Sequence, residues 1–385
     1  MNIFGTTFNY EERLRKVKKL MAQQDIDCLL VHSFVNQHYI SGFYHHLPWY
    51  PDCHSFATEA PVILFREGDP IFLCAFLIFN AVKEGTWIKD MRVIDRESNL
   101  RVNEFVAQVL KEKKLEAGKI GIEGECCTYS TSQELQALLP KAKFKNASDV
   151  FYFARVVKEP EEIKLIKEAV AIGEAGMKVA METAKPGVTE MEVQRAAELE
   201  MKRRGGFREV ETMCQSGVRT ANYRAFASEW KKIENNELVM SDLGVVYKGY
   251  GCDITRTWVV GKPTDEQKKI ANDLYKVHEK ILSFMKPGLK YYEVHDFVRE
   301  ELTRLGYPLN KRAFPCQQFS LHGLGLGPFH DPPDVEHKEI VLEAGMALSV
   351  QPSVRQEKYT IRFEDDVILT PGGLEMVSKL PKELI

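Results

Sequence analysis

The sequence predicts an α+β protein of two domains, an N-terminal α/β domain over residues 1–150 and a second domain over residues 151–385. A chain of 385 residues exceeds the usual size of one domain. Short apolar segments alternate with amphipathic ones up to about residue 150, which is typical of α/β structure. Beyond that point a Lys-Pro-Gly turn followed by a helical segment occurs twice, starting at Lys185 and at Lys286. We therefore expect two α/β halves related by a pseudo-twofold in the second domain.

The N-terminal domain begins with an amphipathic helix over Tyr10–Gln24, in which Val17 and Met21 share one apolar face. A buried strand over Asp27–His32 follows. The later elements of this domain are strands at 61–65, 70–75 and 119–123 and a helix near 103–113.

A segment rich in histidine and aromatic residues covers residues 36–54. Five of the ten histidines, at positions 32, 38, 45, 46 and 54, fall within the first 54 residues. Irregular loops carry function more often than regular elements do. Two interpretations stay open: an irregular surface loop, or a loop that lines a substrate pocket, either its own or that of a dimer partner.

An internal repeat organises the second domain. The segment Lys185-Pro-Gly-Val-Thr-Glu-Met-Glu-Val193 recurs as Lys286-Pro-Gly-Leu-Lys-Tyr-Tyr-Glu-Val294, and the helix after each copy ends at a glycine, Gly205 or Gly306. A long helix to about Ala184 precedes the first copy, and a helix over 265–284 precedes the second. The constant offset of the two copies predicts two structurally equivalent halves.

Side chains of the types that ligate metal ions interrupt the apolar strands of this domain. Residues 238–258 read as a β-hairpin with Lys248 and Gly249 at its tip, and each strand carries one aspartate. A solitary polar side chain in such a setting is costly to bury, so a shared site is expected. The candidate ligands are Asp242, Asp253, His322, Gln351 and Glu364. Carboxylates with an imidazole suit Mn, Fe, Co or Zn better than Ca.

A purely structural alternative stays open for these residues. The same side chains would also be satisfied as core groups in ion pairs with Arg256 and Arg362. Cys252, next to Asp253, is either a neighbour of the site or a small buried filler. The glycines after His322 lack the spacing of a dinucleotide fingerprint, so no nucleotide cofactor is expected.

The motif Gly249-Tyr-Gly-Cys-Asp-Ile-Thr-Arg-Thr257, with Asp242 eleven residues before Asp253, resembles the creatinase/prolidase/methionine aminopeptidase superfamily. In that superfamily, called M24 or pita-bread, the matching motif is Gly-Tyr-x-x-Asp-x-Thr-Arg-Thr. The resemblance covers nearly the whole chain. It implies a creatinase-type N-terminal domain followed by a pita-bread catalytic domain.

The resemblance also implies a mechanism. Two divalent ions share a bridging water: Asp242 chelates the first, Asp253 and Glu364 bridge both, and His322 with residue 351 completes the second. The expected activity is that of a metal-dependent hydrolase like Xaa-Pro dipeptidase or aminopeptidase, which cleaves an amide C–N bond through a metal-bound hydroxide. One or two ions of Mn, Co, Fe or Zn are expected per chain. His330 and Arg362 are the candidate catalytic residues.

The sequence departs from that pattern at three positions. Position 351 is glutamine where the family carries a glutamate that ligates and accepts a proton, so three carboxylates remain. Ala225 stands where peptidases carry a substrate-contacting histidine, and His330 lies one residue further from His322 than is usual.

Two consequences follow from these departures. We expect the ion held by Asp242, Asp253 and Glu364 to bind more tightly than the ion shared with His322 and Gln351. Besides the peptidase, two function classes stay open: a creatinase-like hydrolase or lyase of a small amine, amidine or osmolyte, and a catalytically silent binding protein.

Composition limits the partners and the compartment. A formal net charge of −3 argues against general binding to nucleic acid or membrane surfaces. The N-terminus lacks the features of a signal peptide, and the most apolar stretch, 71–79, is too short to span a bilayer. The eight cysteines are scattered without a Cys-x-x-Cys pair. We expect a cytoplasmic homodimer that acts on a dipeptide or another small molecule.

Overall fold

A computed structural model describes residues 5–44, 60–94, 100–221, 226–307, 321–326, 331 and 340–382, without the side chains of 208–211. Two compact units divide the chain, Met1–Ala154 and Arg155–Ile385. Helices and strands occur in both units, which confirms the predicted α+β class. The boundary predicted after residue 150 falls inside a helix over Ser148–Arg155, and it stays a prediction.

The first unit contains a six-stranded mixed sheet. Its strands are β1 (Cys28–Val31), β2 (Val62–Phe65), β3 (Ile71–Ala75), β4 (Asp90–Ile94), β5 (Lys119–Ile122) and β6 (Lys143–Asn146). They follow the order β4-β3-β2-β1-β5-β6. The helices are α1 (Tyr10–Gln23), α2 (Phe34–Ser41), α3 (Phe79–Gly85), α4 (Val102–Glu112), α5 (Tyr129–Leu138) and α6 (Ser148–Arg155). The elements predicted for this domain are thus confirmed, with bounds that shift by one or two residues.

Part of the histidine-rich segment is a helix. Residues 34–41 form α2, which begins at an N-cap serine, Ser33, and ends at Gly42 in a left-handed conformation. His38 is buried in this helix, and burial together with the charge of Arg13 lowers the pKa of its imidazole to about 4. His38 is therefore a neutral core group. Residues 45–54 lie outside the described residues, so the pocket-lining interpretation stays a prediction.

The second unit is built from helices and antiparallel sheets. Its helices are α7 (Pro160–Thr183), α8 (Glu190–Arg203), α9 (Asp265–Phe284) and α10 (Tyr291–Arg304). Its strands are β7 (Arg208–Ser216), β8 (Glu237–Tyr247), β9 (Tyr250–Val260), β10 (Leu321–Gly323), β11 (Ala347–Val350), β12 (Ser353–Arg355), β13 (Thr360–Arg362), β14 (Asp365–Thr370) and β15 (Gly373–Met376). They form sheets of order β7-β8-β9, β10-β11-β14-β15 and β12-β13.

The two Lys-Pro-Gly turns of this unit make matching hydrogen bonds. Gly187 and Gly288, the glycines of the two Lys-Pro-Gly turns, have positive φ angles of 92° and 95°. The Gly187 N–H donates to the carbonyl of Ile233 at 2.9 Å, and the Gly288 N–H donates to that of Leu342 at 2.8 Å. The predicted internal repeat is confirmed, and it places one β-rich segment after each helix pair.

Helix α7 packs against the back of the β8–β9 hairpin. A Cβ built on Gly173 of this helix would lie 2.8 Å from the Cys252 sulfur, so the close approach requires glycine. Cys252 is fully buried in this contact, and burial raises the pKa of its thiol well above the ordinary value. The structure therefore favours the filler interpretation of Cys252, on the side of the hairpin that faces the helix.

Candidate metal centre

The β8–β9 hairpin explains the spacing of the two aspartates. Lys248 and Gly249 both have positive φ angles, 50° and 95°, and form a tight two-residue turn. The resulting register places Asp242 opposite Thr255 and Asp253 opposite Gly244. Residues two apart on a strand, and residues directly opposite each other, share a face of the sheet. Asp242, Asp253 and Thr255 therefore share one face of the hairpin.

Two further candidate ligands reach this face from the second half of the repeat. His322 lies on β10, opposite Ser349 of β11. Glu364 lies between β13 and β14 and forms an isolated antiparallel bridge with Thr255, to whose carbonyl its N–H donates at 3.1 Å. The pseudo-twofold thus brings carboxylates from both halves to one place.

Asp253, His322 and Glu364 form a buried cluster. The His322 Nε2 atom lies 3.3 Å from Asp253 Oδ2 and 3.1 Å from Glu364 Oε1. One ligand atom from each side chain lies within 4.8 Å of the others. The exposed fractions of these residues are 7%, 2% and 1%. Two carboxylates and an imidazole are the donor set that a zinc or first-row transition ion accepts, so these residues fit a divalent ion.

Asp242 and Gln351, the other two candidate ligands, lie against Arg362 instead. The Asp242 Oδ1 atom accepts a hydrogen bond from the Thr255 hydroxyl at 2.8 Å, and Asp242 Oδ2 accepts one from the Arg362 guanidinium. The other arm of the guanidinium donates to Gln351 Oε1 at 3.2 Å. Asp242 therefore forms an ion pair with Arg362, which the sequence had left open as an alternative to metal ligation.

Burial and charge shift the pKa of each group in the cluster. Burial, and then the charges of Glu364 and Asp242, raise the pKa of Asp253 well above its ordinary value. Burial alone would raise the pKa of Glu364, but Arg362 and His322 lower it to about 2. Burial opposes a charged imidazole, yet hydrogen bonds to Asp253 and Glu364 hold the pKa of His322 well above its ordinary value. A metal ligand must be a neutral imidazole, so a cation at this cluster would compete with a proton for His322.

Sequence reasoning missed three polar side chains around the cluster. The Thr255 hydroxyl also lies 2.6 Å from Glu364 Oε2, Ser349 Oγ donates to Glu364 Oε1 at 2.9 Å, and Asp366 Oδ2 accepts the Asp253 N–H at 3.0 Å. Alternation along β9 points to Thr255, because it lies two residues after Asp253. Ser349 and Asp366 require the pairing of β10, β11 and β14, which no local pattern gives.

Two predicted positions cannot be compared with the structure. His330 and Ala225 both lie outside the described residues. The neighbour of His330, Asp331, is described, and its buried carboxylate accepts a hydrogen bond from Arg155 at 3.3 Å. The roles assigned to His330 and Ala225 stay predictions.

Comparison with known proteins gives one family model for each part of the chain. Residues 164–371 match metallopeptidase family M24, and residues 13–157 match the creatinase/prolidase N-terminal domain. The Xaa-Pro dipeptidase of Pyrococcus horikoshii is 30% identical over 378 residues, which cover 97% of this chain and 99% of that protein. An uncharacterised Bacillus subtilis peptidase, YqhT, is 27% identical over 97% of this chain and 99% of its own length.

Solved structures agree with these matches. An Xaa-Pro dipeptidase from Bacillus anthracis superposes with a TM-score of 0.85 at 28% identity, covering 98% of this chain and 99% of that one. The prolidase from Pyrococcus horikoshii superposes with a TM-score of 0.82 at 28% identity, covering 97% of this chain and 100% of that one. The similarity spans the N-terminal unit and the unit that carries the buried cluster.

Proposed function

The chain belongs to metallopeptidase family M24, and we propose that this metal-dependent hydrolase is a dipeptidase that cleaves the amide bond of Xaa-Pro dipeptides. The observation that carries the proposal is the buried cluster of Asp253, His322 and Glu364, whose donors suit a divalent ion of Mn, Co, Fe or Zn. The substrate class follows the relatives named Xaa-Pro dipeptidase, which match the chain along nearly its whole length.

A divalent ion at this cluster would lower the pKa of a water molecule and polarise the scissile carbonyl. The protein itself holds the ligand side chains in fixed orientations. The Ser349 hydroxyl donates to Glu364 Oε1, the Thr255 hydroxyl lies 2.6 Å from Glu364 Oε2, and Asp366 accepts the backbone N–H of Asp253. Partners of this kind set the orientation and basicity of ligands.

Proton transfer needs a group other than residue 351. The Gln351 amide oxygen accepts a hydrogen bond from Arg362 and cannot take up a proton at neutral pH. We assign that role to His330, and we assign Arg362 the task of holding Gln351 and Asp242 beside the reaction centre.

One observation favours a second candidate function. The neutral Gln351 removes a proton acceptor that peptidases of this superfamily use, which fits a creatinase-like hydrolase or lyase acting on a small amine, amidine or osmolyte. The two candidates differ in substrate, so a substrate panel separates them.

The test is one panel of substrates assayed with Mn, with Co and with a chelator. It pairs each Xaa-Pro dipeptide with the matching Xaa-Ala dipeptide and the Xaa-Pro-Ala tripeptide, and it includes creatine and ectoine. The expected result is chelator-sensitive turnover of Xaa-Pro dipeptides on the order of 1–10³ s⁻¹. Turnover of creatine or ectoine alone would replace the proposal with the second candidate, and no turnover would support the silent binding protein.

We also propose that the protein works as a cytoplasmic homodimer in which residues 36–54 approach the partner's site. The six cysteines among the described residues are free thiols, as expected in a reducing compartment. Among the described helices, none is long and apolar enough to cross a membrane. Sedimentation measures the assembly, and a fully active monomer would contradict the dimer.

A further inference from the structure

Arg362 lies between the two candidate ligands that do not join the buried cluster. We propose that the centre holds one divalent ion, at Asp253, His322 and Glu364, and that the guanidinium of Arg362 takes the place of a second ion. The inference deepens the proposed function, because it concerns the metal content of the same site.

The charges of the site balance one divalent ion. Asp242, Asp253 and Glu364 carry three negative charges, and Arg362 supplies one positive charge. His322 is neutral when it ligates a metal, and Gln351 is neutral always. Two negative charges therefore remain, which one divalent ion neutralises. A second ion would leave a buried excess of positive charge, which is strongly unfavourable at low dielectric.

Among the described residues, the carboxylates that follow Glu364 in the chain have partners of their own. The charge of Asp365 is already paired, since its oxygens contact Arg256 at 2.6 Å and Lys382 at 2.8 Å. Asp366 is held by the backbone instead, since its Oδ2 accepts the Asp253 N–H at 3.0 Å and its own N–H donates to Ser378 Oγ at 2.9 Å.

Both carboxylate oxygens of Asp242 already accept hydrogen bonds. Thr255 donates to one of them at 2.8 Å and the guanidinium donates to the other. Only 1% of Arg362 is exposed, and its Nη2 atom also donates to Thr255 Oγ1 at 2.6 Å. Turning Asp242 towards a metal would leave a buried guanidinium without its main counter-charge, which is strongly destabilising. Asp242 therefore stays in its ion pair with Arg362 and does not ligate an ion.

The same guanidinium also positions Gln351. A guanidinium presents a planar fork of donors, so it contacts two acceptors at fixed directions. Here the fork joins the Gln351 amide oxygen and the Asp242 carboxylate. A glutamine can occupy position 351 because the side-chain oxygen there only has to accept one hydrogen bond.

This assignment reverses the expectation from sequence. From the ligand types alone, the ion at Asp242, Asp253 and Glu364 was expected to bind more tightly, because that set contains three carboxylates. The structure brings the ligand atoms of Asp253, His322 and Glu364 together and turns Asp242 towards Arg362. The retained ion is therefore the one that contacts the imidazole.

The experiment counts and locates manganese in the full chain without substrate. After loading with Mn(II) and dialysis, elemental analysis should give about one equivalent, with the electron paramagnetic resonance spectrum of an isolated ion. Electron spin-echo modulation should show a directly bound ¹⁴N that disappears in His322→Gln. Two tight equivalents with a spin-coupled spectrum, or one equivalent without bound nitrogen, would overturn the inference.

Substitutions test the role of Arg362. Arg362→Gln removes the positive charge, so the affinity for a second ion should rise at least about tenfold. Arg362→Lys keeps the charge, so the number of bound ions per chain should stay near one. Gln351→Glu adds a carboxylate and should also move the count towards two. Gln136→Glu makes the same charge change at an exposed position of the first unit and should change nothing.

Each variant is first checked by thermal unfolding, and Gln351→Glu tests the charge argument even when Arg362→Gln does not fold. An unchanged affinity for the second ion in both folded variants contradicts the proposal. The outcome is separable from activity: a dipeptidase with two ions overturns only this inference, whereas an inactive protein with one histidine-bound ion overturns only the proposed function.

Discussion

Glu364 and Asp365 are neighbours in the chain, and each lies in a buried cluster of charged side chains. Asp365 faces cations: its carboxylate contacts Arg256 at 2.6 Å, Lys382 at 2.8 Å and the His278 imidazole at 3.2 Å. Glu364 contacts the His322 imidazole at 3.1 Å and the Arg362 guanidinium at 3.4 Å, and it lies beside two further acids, Asp242 and Asp253. The first cluster has more cations than acids, and the second has more acids than cations.

This difference separates a structural site from a functional one. Buried ion pairs need internal compensation, because desolvation of an unpaired charge is expensive. The Asp365 cluster meets that need with its own side chains. The Glu364 cluster does not, and the pKa of Asp253 is raised well above its ordinary value as a result of burial and the neighbouring acids. A raised carboxyl pKa in a cluster with an excess of acids is the arrangement that a bound cation would relieve.

The largest effect is expected from Asp253→Asn. The substitution keeps the shape of the side chain but removes a negative charge from the cluster, so metal binding and turnover should fall by about 10³-fold or more. Activity and bound metal are measured on the same preparation, and circular dichroism should be unchanged. Retained metal with retained turnover would remove Asp253 from the ligand set.

The Asp365→Asn substitution should act on stability instead. It leaves Arg256 and Lys382 without their buried counter-charge, so the free energy of unfolding should fall by about 3–5 kcal/mol. The protein that remains folded should still bind its metal ion. Urea unfolding with and without Mn measures both quantities, and loss of metal without loss of stability would contradict the contrast between the clusters.

The stability contributed by Asp365 has a defined dependence on pH. Burial opposes its charge, but His278, Arg256 and Lys382 hold the pKa of Asp365 well below the ordinary value of 3.8. A carboxylate with a lowered folded-state pKa contributes its stability above the unfolded-state pKa and loses it as the pH falls. The difference in the free energy of unfolding between the wild type and Asp365→Asn should therefore be constant from pH 7 to about 5. This difference should shrink below about pH 4.

Removal of the metal gives a smaller, reversible effect. A ligand that binds only the folded state at 100 times its Kd stabilises that state by about 2.7 kcal/mol. Adding Mn to the chelated protein should raise the Tm of the wild type and of Asp365→Asn, but not that of Asp253→Asn. A Tm of Asp253→Asn that rises equally would place the ion elsewhere.

Sequence patterns predicted those parts of this arrangement that depend on local periodicity. The repeat, the hairpin and the 11-residue spacing of Asp242 and Asp253 all follow from turn chemistry and alternation. The pairing of Asp242 with Arg362 depends on the register between strands 120 residues apart in the chain. Such pairings are set by tertiary packing, so the sequence left open whether Asp242 was a ligand or an ion-pair partner.

The smallest effect separates the two threonines of the motif, Thr255 and Thr257, which share a face of β9. The Thr255 hydroxyl lies between Asp242 and Glu364, whereas the Thr257 hydroxyl donates to the carbonyl of Arg362 at 2.9 Å and accepts from its N–H at 3.1 Å. Each valine substitution leaves buried polar groups without a partner, which costs about 1–3 kcal/mol of stability.

Only Thr255→Val should also weaken metal binding and turnover, by about tenfold, because it releases two acidic side chains of the site. Thr257→Val is the matched control, since it removes the same hydroxyl from the same strand but leaves the acids untouched. Metal affinity is measured by isothermal titration for both variants. Equal losses of metal affinity would mean that the threonines act through the packing of β9, and that Thr255 has no direct part in positioning Glu364.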